Sequence, residues 1–516
     1  MFSRVRFSNL LKASVLSCSA LMLLSGVCYG QQQPTQTIVL ISKTVGTLNA
    51  PNSFRGGTNP SISGDGKTLA YSAASLPQPA IVADVVSGQL DGVSEGINNR
   101  LVQGQATSVS NNGTTVFQSG SSDLLGQSVS GQQIYFNLSG SNGVGLISSA
   151  MTSGPSNGRS ASPVINGNGN LVAYVSTAID ITSDSAVAQT SSVYLFDIGS
   201  RTNTLISRAS ATDFLKNCSS PAISKDGTVV AFISDGKVYV KRSTDDIAQL
   251  QNMGAGQTAS SLVISADGST LAYVSASGGT TSVIIDAIAN GATDTAISVR
   301  PFRPTDGSRP IALSGNGRFL VVATADRLDG QMPMIDTNGA SDIYLFGQGG
   351  NPTLLSLDSG GAITSSDSLD PVISEDGSVV AFSSGGQLTQ DADINSGSNI
   401  FAITGAGAGG GAAGVINLGP VCFPAGQAIA PDTIKISWGF PGTHNDQLKG
   451  FKIQVNRLEG STYVPIAKVP ADGEAIYIDT KLKPRTKYNY RLWIENPKGF
   501  AYSVDFSAKT PKVNKK

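Results

Sequence analysis

Across 516 residues the chain is nearly neutral, with a formal net charge of −1, only 14% charged residues, 6% aromatic residues and 59 glycines. Long amphipathic helices are poorly served by that mixture, whereas short strands joined by tight turns are well served, and the length exceeds what one hydrophobic core usually covers. Acidic residues outnumber basic ones up to about residue 431 and the balance reverses from Asp432 onward, so the body lacks the clustered Lys and Arg on which a nucleic-acid partner depends.

The first thirty residues have the three parts of a secretory signal: Arg4, Arg6 and Lys12, then an apolar run from Ala13 to Val27, then Gly30 before Gln31. Residues 1–30 are therefore expected to be a signal peptide, and the mature chain to be exported to the periplasm, the medium or the cell surface. The apolar run is short for a membrane span and no later segment reaches that length, so no transmembrane segment is expected in the mature chain. Val27 before Cys28 does not fit a lipidation site. Cys18 and Cys28 leave with the signal; Cys218 and Cys422 remain, and an oxidising compartment would permit a disulfide between them if the fold brought them together.

From residue 37 the chain repeats one phrase seven times. Pro60-Ser61-Ile62-Ser63-Gly64-Asp65-Gly66 leads into the strand-like Lys67-Thr68-Leu69-Ala70-Tyr71, and the pattern returns at Val109 to Val116, Pro163 to Tyr174, Pro221 to Phe232, Val263 to Tyr273, Ile311 to Val322 and Pro371 to Phe382. Each copy centres on an Asp-Gly or Asn-Gly pair: Asp65-Gly66, Asn112-Gly113, Asn168-Gly169, Asp226-Gly227, Asp267-Gly268, Asn316-Gly317 and Asp376-Gly377. Such a pair predicts a two-residue type I′ hairpin turn with positive φ at both positions. A third strand follows, as in Val193-Tyr194-Leu195-Phe196 or Ile343-Tyr344-Leu345-Phe346, and a fourth, as in Leu205-Ile206-Ser207 or Leu354-Leu355-Ser356.

Four antiparallel strands per unit of about fifty residues is the size of a propeller blade. The expected fold is thus all-β, a seven-bladed β-propeller over 37–404. Ile38-Val39-Leu40-Ile41-Ser42 matches a fourth strand but precedes the first unit, whereas the seventh unit stops at its third, Ile400-Phe401-Ala402-Ile403. The N-terminal strand is therefore expected to complete the last blade and leave no open edge.

The repeat resembles the WD-like repeat of the TolB family of bacterial propellers, whose blades carry a Pro-x-x-Ser-x-Asp-Gly turn before an apolar strand. The resemblance covers roughly residues 37–406. It implies the propeller fold and, as one function, an envelope or translocation component of the Tol type. Members of that family carry a domain ahead of the propeller that meets a membrane partner. Here the propeller is expected to begin almost at the mature N-terminus, which weighs against that role.

Residues 405–415 form a Gly/Ala-rich linker, and about seven short strands follow over 416–512, including Ile434-Lys435-Ile436-Ser437-Trp438 and Phe451-Lys452-Ile453-Gln454-Val455. The segment Leu482 to Leu492 resembles the tyrosine-corner region of fibronectin type III domains. That resemblance implies a β-sandwich in which Tyr488 bonds back to upstream backbone and Trp438 is the core tryptophan. The basic end, Lys512 to Lys516, reads as a solvated terminus.

Catalytic signals are sparse. The only histidine is His444, so neither a Ser-His-Asp site in the repeats nor a multi-histidine zinc site is expected. Gly154-Pro155-Ser156-Asn157-Gly158 matches the nucleophile-elbow pattern in letters but lies in a polar turn without a following helix. Gly405-x-Gly407-x-x-Gly410 spells a dinucleotide fingerprint outside any βαβ unit. Asp336 to Asp342 and Asp391 to Asn395 hold spaced oxygens of the kind calcium favours, with Asx turns as the simpler reading.

Only Glu95 and Glu375 are glutamates in the repeats, and Glu375 lies beside a repeat turn. No catalytic, cofactor-binding or metal-ligating residue is assigned. The expected function is that of a non-enzymatic binding scaffold for a protein or a cell-envelope polysaccharide, with loops around 85–105, 140–160 and 285–310 as contact candidates. The alternative is a carboxylate- or metal-dependent hydrolase or lyase in the central channel. Acids converging on that channel would favour the enzyme, and a lining of Ser, Ala and Val the scaffold.

Overall fold

The structure is a computed structural model. It describes most of residues 37–512, excepting 44–55, 184–189, 243–247, 289–296, 302–308, 329–335, 348–351, 391–396, 407–422, 440–451, 471–475, 496–500 and a few shorter stretches. The expected signal peptide, most of the linker, Cys422, His444 and the Asp391 loop lie outside the described residues.

What is described is all-β and propeller-like. Seven four-stranded antiparallel sheets follow one another along the chain, six pairing their strands in sequence order and the seventh taking its outer strand from the N-terminal side of the first. The first comprises Gly57–Ile62, Thr68–Ala73, Ala80–Asp84 and Leu90–Gly92, and the fourth Cys218–Ile223, Val229–Ser234, Lys237–Arg242 and Ala248–Gln249. The innermost strands of consecutive sheets pack on each other, and that of the seventh sheet packs on that of the first. The only helix among the described residues is one 3-10 turn, Ser122–Leu124, and none is long and apolar enough to cross a membrane.

The second strand of each sheet is mostly apolar, because it is covered on both faces by neighbouring sheets. Val229–Ser234 and Val379–Ser384 are buried at every position. The cores are correspondingly shared between sheets: one cluster joins Leu320, Val322 and Tyr344 of the sixth sheet to Val274 and Ile285 of the fifth.

The seven turns use a different geometry from the type I′ hairpin that the Asp-Gly pairs suggest. Gly66, Gly113, Gly169, Gly227, Gly268, Gly317 and Gly377 all have positive φ, but the Asp or Asn before each does not. Gly66 N–H donates to Ser63 O at 2.9 Å, which is a type I turn closed by a left-handed glycine. The side chain explains the choice. Asp65 Oδ1 accepts from Ser63 Oγ at 2.7 Å and from Lys67 N–H at 3.2 Å, while Ser63 Oγ accepts from Thr68 N–H at 3.0 Å.

The same wiring recurs at Asp226, Asp267 and Asp376. Burial pushes these four carboxyls up, but the hydrogen bonds outweigh it and hold them below the usual range. A left-handed glycine that also abuts a ring is the most sensitive point. Gly377 has φ +80°, and a β-carbon there would collide with the Phe319 ring, whereas Gly88 at φ +69° faces open space. Gly377→Ala should cost about 2–3 kcal/mol by denaturant titration, against about 1 kcal/mol for Gly88→Ala.

The seventh sheet closes as the repeat arithmetic predicts. Thr37–Leu40 pairs antiparallel with Asn399–Thr404, Leu40 opposite Phe401. Ile400 N–H donates to Ser42 Oγ at 2.9 Å. Equivalent serines cap the third strands of other sheets: Ser94 to Ala80, Ser148 to Ile134, Ser207 to Val193 and Ser356 to Ile343.

Beyond residue 422 seven further strands form a three-stranded sheet (Phe423–Ala430, Thr433–Gly439, Ile476–Asp479) and a four-stranded one (Thr462–Pro470, Lys452–Glu459, Lys487–Glu495, Ala501–Lys509). Ile434, Ile436, Ile453, Val455, Tyr490 and Leu492 form their common core. Tyr488 Oη accepts from the upstream Lys483 N–H at 2.7 Å. Trp438 lies in the strand Thr433–Gly439, its side chain outside the described residues. Cys218 is a buried free thiol, with Sγ at 3.7 Å from Leu215 O, and burial pushes its pKa up to about 11.

Candidate functional site

The innermost strands of the seven sheets enclose a cavity of about 680 Å3. One end is bridged. There the residue before each turn pair faces the axis, and backbone bonds run from sheet to sheet: Asn111 N to Gly167 O at 3.1 Å, Lys225 N to Ala266 O and Ala266 N to Gly315 O at 2.8 Å, and Glu375 N to Gly64 O at 2.8 Å. Across this ring Lys225 Nζ, from the fourth sheet, meets Glu375 Oε2, from the seventh, at 2.8 Å, and Asn111 Nδ2 reaches Glu375 Oε1 at 3.3 Å. A β-carbon at Gly64 or Gly315 would collide with the Glu375 side chain, so those glycines make room for the bridge. Glu375, an incidental neighbour of a turn in the sequence, is thus half of a cross-ring ion pair.

The other end is where the innermost strands begin. By antiparallel alternation it is also where the connections from each fourth strand arrive, including 93–104 and 147–159. These fall within two of the loop regions expected to make contacts; much of the third, 285–310, lies outside the described residues. Within the innermost strands and at their starts, Asn59, Ala106, Ser162, Ser220, Ser261 and Asp370 have left-handed backbone without being glycine, with φ between 48° and 53°. Each sits at a register shift in its innermost strand. These are β-bulges, which re-aim side chains and concentrate at functional rims. Sequence reasoning missed them; a signal exists in the Asn-Pro, Ser-Pro and Asp-Pro pairs at 59–60, 162–163, 220–221 and 370–371.

The cavity lining is mixed. Asn59, Gln105, Gln118, Ser108, Ser162 and Ser220 offer amides and hydroxyls, and Val164, Ile223, Val263 and Ile373 an aliphatic wall. Among the described lining residues the charged ones are Arg159 and Arg309, and none is an acid. Arg159 Nε and Nη2 donate to Gln132 Oε1 at 3.2 and 2.9 Å. Among the described residues Arg309 donates its backbone N–H alone, to Asp370 Oδ1 at 3.2 Å. Burial pulls the Arg309 guanidinium below its usual pKa, with Asp370 acting in the opposite direction.

The remaining candidates lie elsewhere. Ser156 of the elbow-like pattern is 1% exposed and donates to Gln133 Oε1 at 3.0 Å, a structural tie without a histidine. In the Asp336 loop, Ala340 N–H donates to Asn338 Oδ1 at 2.8 Å, an Asx turn. Asp336 accepts from the Tyr344 hydroxyl, and Asp342, fully buried, accepts from Ser356 Oγ at 2.6 Å and Asn338 Nδ2 at 2.9 Å. No group of three His, Cys, Asp or Glu able to hold a metal occurs among the described residues.

Burial pushes Asp342 up to about 6, with Asp336 and Asp367 adding to the rise against the bonds from Ser356 and Asn338. A carboxyl raised above its unfolded value stabilises the fold relative to the ionised form only while protonated. The Asp342 contribution is therefore full below about pH 4, falls as pH rises towards 6 and is absent above it. The stability difference between wild type and Asp342→Asn, measured by urea titration, should shift against wild type between pH 4 and pH 7.

No protein-family model matches the chain, and no curated protein matches it by sequence. Solved structures similar to it include an oligogalacturonate lyase from Vibrio parahaemolyticus, at 12% identity over 72% of this chain and 97% of that one, with a TM-score of 0.45. An oligogalacturonate lyase in complex with manganese matches at 13% identity over 67% and 89%, TM-score 0.44. Kuenenia stuttgartiensis hydrazine synthase matches at 13% over 66% and 95%, TM-score 0.37. Nothing about activity follows from likenesses of this size.

Proposed function

We propose that the chain is an exported, non-enzymatic binding protein. In this reading residues 1–30 are its signal peptide, 37–404 a TolB-like seven-bladed β-propeller, 405–415 a linker and 416–512 a fibronectin type III-like sandwich. It works in the periplasm or at the cell surface. Its partner, a protein or a cell-envelope polymer, is received where the innermost strands begin.

The observation that supports this most is the lining of the central cavity. Hydroxyls, amides and aliphatic side chains converge there from all seven sheets, as in a site built for contact. The two acids that carboxylate-based hydrolysis needs in one pocket do not face each other among the described lining residues, and Glu375 is held by Lys225 at the bridged end.

The test is retention of envelope and culture polymers on the immobilised mature chain, with turnover followed in the same samples. Oligogalacturonate with and without manganese belongs in the panel, because two structural neighbours are named as its lyase, one of them with that metal. Saturable retention without turnover supports the binding reading. Turnover of any panel member would replace it with a hydrolase or lyase acting in the cavity.

A further inference from the structure

We propose that the cavity takes an acidic oligosaccharide, with Arg309 as the anchor for a uronic-acid carboxylate. The inference rests on the binding reading and names the ligand class of that site. Arg309 lines the cavity at the start of the innermost strand of the sixth sheet, one residue ahead of the place that the bulge residues Asn59, Ser162 and Ser220 take in other sheets, which here is Pro310. Where the other copies carry the uncharged Thr58, Gln105, Ala161, Ser219, Ser260 and Leu369, this one carries a long cation.

Among the described residues the Arg309 guanidinium makes no hydrogen bond, its residue donates its backbone N–H to Asp370 Oδ1, and the Asp370 carboxylate acts on the guanidinium only through charge. A guanidinium held in a half-buried wall, its donors meeting no acceptor among the described residues, is matched in shape and charge by a carboxylate, which accepts two parallel N–H bonds. Arg159, exposed at the rim with its guanidinium bonded to the neutral Gln132 amide oxygen, adds a second positive charge. The rest of the lining, Asn59, Gln105, Gln118 and the serines, suits a body rich in hydroxyls. An acidic peptide would use the arginines but has less use for that ring of amides and hydroxyls.

The test is calorimetric titration of the full mature chain with a galacturonate trimer, a mannuronate trimer, the methyl ester of each, and a Glu-rich peptide. At least one free acid should bind and its neutral ester should not. Arg309→Gln and Arg309→Lys should each weaken binding by about 30-fold or more, Lys because it keeps the charge and loses the fork. Arg159→Ala, at an exposed position, should weaken it about threefold and raise the salt dependence of what remains. Circular dichroism confirms that each variant is folded, and the Arg159 variant carries the test should Arg309→Gln fail to fold.

Equal binding of acid and ester, or unchanged affinity in folded Arg309→Gln, would overturn the proposal. Preference for the Glu-rich peptide over both trimers would overturn the glycan assignment. If no probe binds while the same chain still retains an envelope component, the acidic-ligand proposal fails and the binding reading stands. If nothing is retained either, both fail.

Discussion

Leu40→Ala combined with Ser42→Ala should destabilise the repeat region by about 3–6 kcal/mol and make its seventh sheet the first place to open. Leu40 is 1% exposed and packs with Phe382, Phe401 and Ile403; truncating a buried leucine to alanine alone costs about 2–5 kcal/mol. Ser42 accepts the Ile400 N–H at 2.9 Å, and removing that acceptor leaves a buried donor without its partner at a cost of about 1–3 kcal/mol. The two changes touch one strand, so they will not add fully.

What distinguishes this pair from equal truncations elsewhere is topology. Leu354→Ala with Ser356→Ala removes the same cap and a leucine at the matching place in the sixth sheet, but all four strands there are consecutive in the chain. In the seventh sheet the fourth strand joins residues some 360 positions apart, and its loss opens the ring. Urea titration with limited proteolysis reads the difference. Both pairs should lower the midpoint, and only the clasp pair should expose early cleavage near Asn399–Thr404.

Asp479→Ala should cost the C-terminal region about 3–5 kcal/mol. Asp479 is 4% exposed; its two oxygens accept from Arg457 Nη1 at 3.0 and 3.1 Å, and Oδ2 also accepts from the Tyr490 hydroxyl at 2.7 Å. Burial lowers the Arg457 pKa, but its bonds to Glu459 and Asp479 outweigh this, and the net shift is upward. Burial and the Asp479 carboxylate together raise that of Tyr490. Alanine would remove this acceptor from the buried Tyr490 hydroxyl and leave the guanidinium its bond to Glu459, at 2.7 Å. Tyr490→Phe removes one donor and keeps the ion pair, so about 1 kcal/mol is expected.

The readout is unusually clean. The chain has two tryptophans, Trp438 and Trp493, both C-terminal, so tryptophan fluorescence reports this region while far-ultraviolet circular dichroism reports both. Asp479→Ala should move the fluorescence transition well ahead of the dichroism transition of the repeat region. Coincident transitions in the variant would mean that the two regions unfold as one unit.

The repeat was legible because its code is local. Ser (Asn166 in the third copy), Asp or Asn, and Gly within four residues complete local hydrogen bonds, so seven copies announce seven turns before any tertiary contact is known. The clasp was legible for a related reason, since a strand out of phase with the repeat has one vacant place to go. The turn type was misjudged because Asp-Gly was weighed as a pair, whereas the serine two residues earlier fixes the geometry.

The site was much less legible. Lys225 and Glu375 sit at equivalent positions in copies 150 residues apart, and nothing local says that equivalent positions converge on one axis. Arg309 looks like an ordinary loop arginine until the ring shows that it stands in the cavity wall, where the other copies carry uncharged residues. Residues that depart from a repeat at an axial position are the ones to examine once the ring is known.

The most direct test of the account compares retention of envelope polymers by two tryptophan variants. Ser219→Trp places a large side chain in the cavity lining, at an exposed position where the innermost strands begin. Lys67→Trp places one at the opposite, bridged end, beside the turn at Asp65. Loss of retention in Ser219→Trp with wild-type retention in Lys67→Trp is the predicted result. Retention unaffected by Ser219→Trp but lost in Lys67→Trp would put the binding surface at the wrong end of the ring and contradict the account.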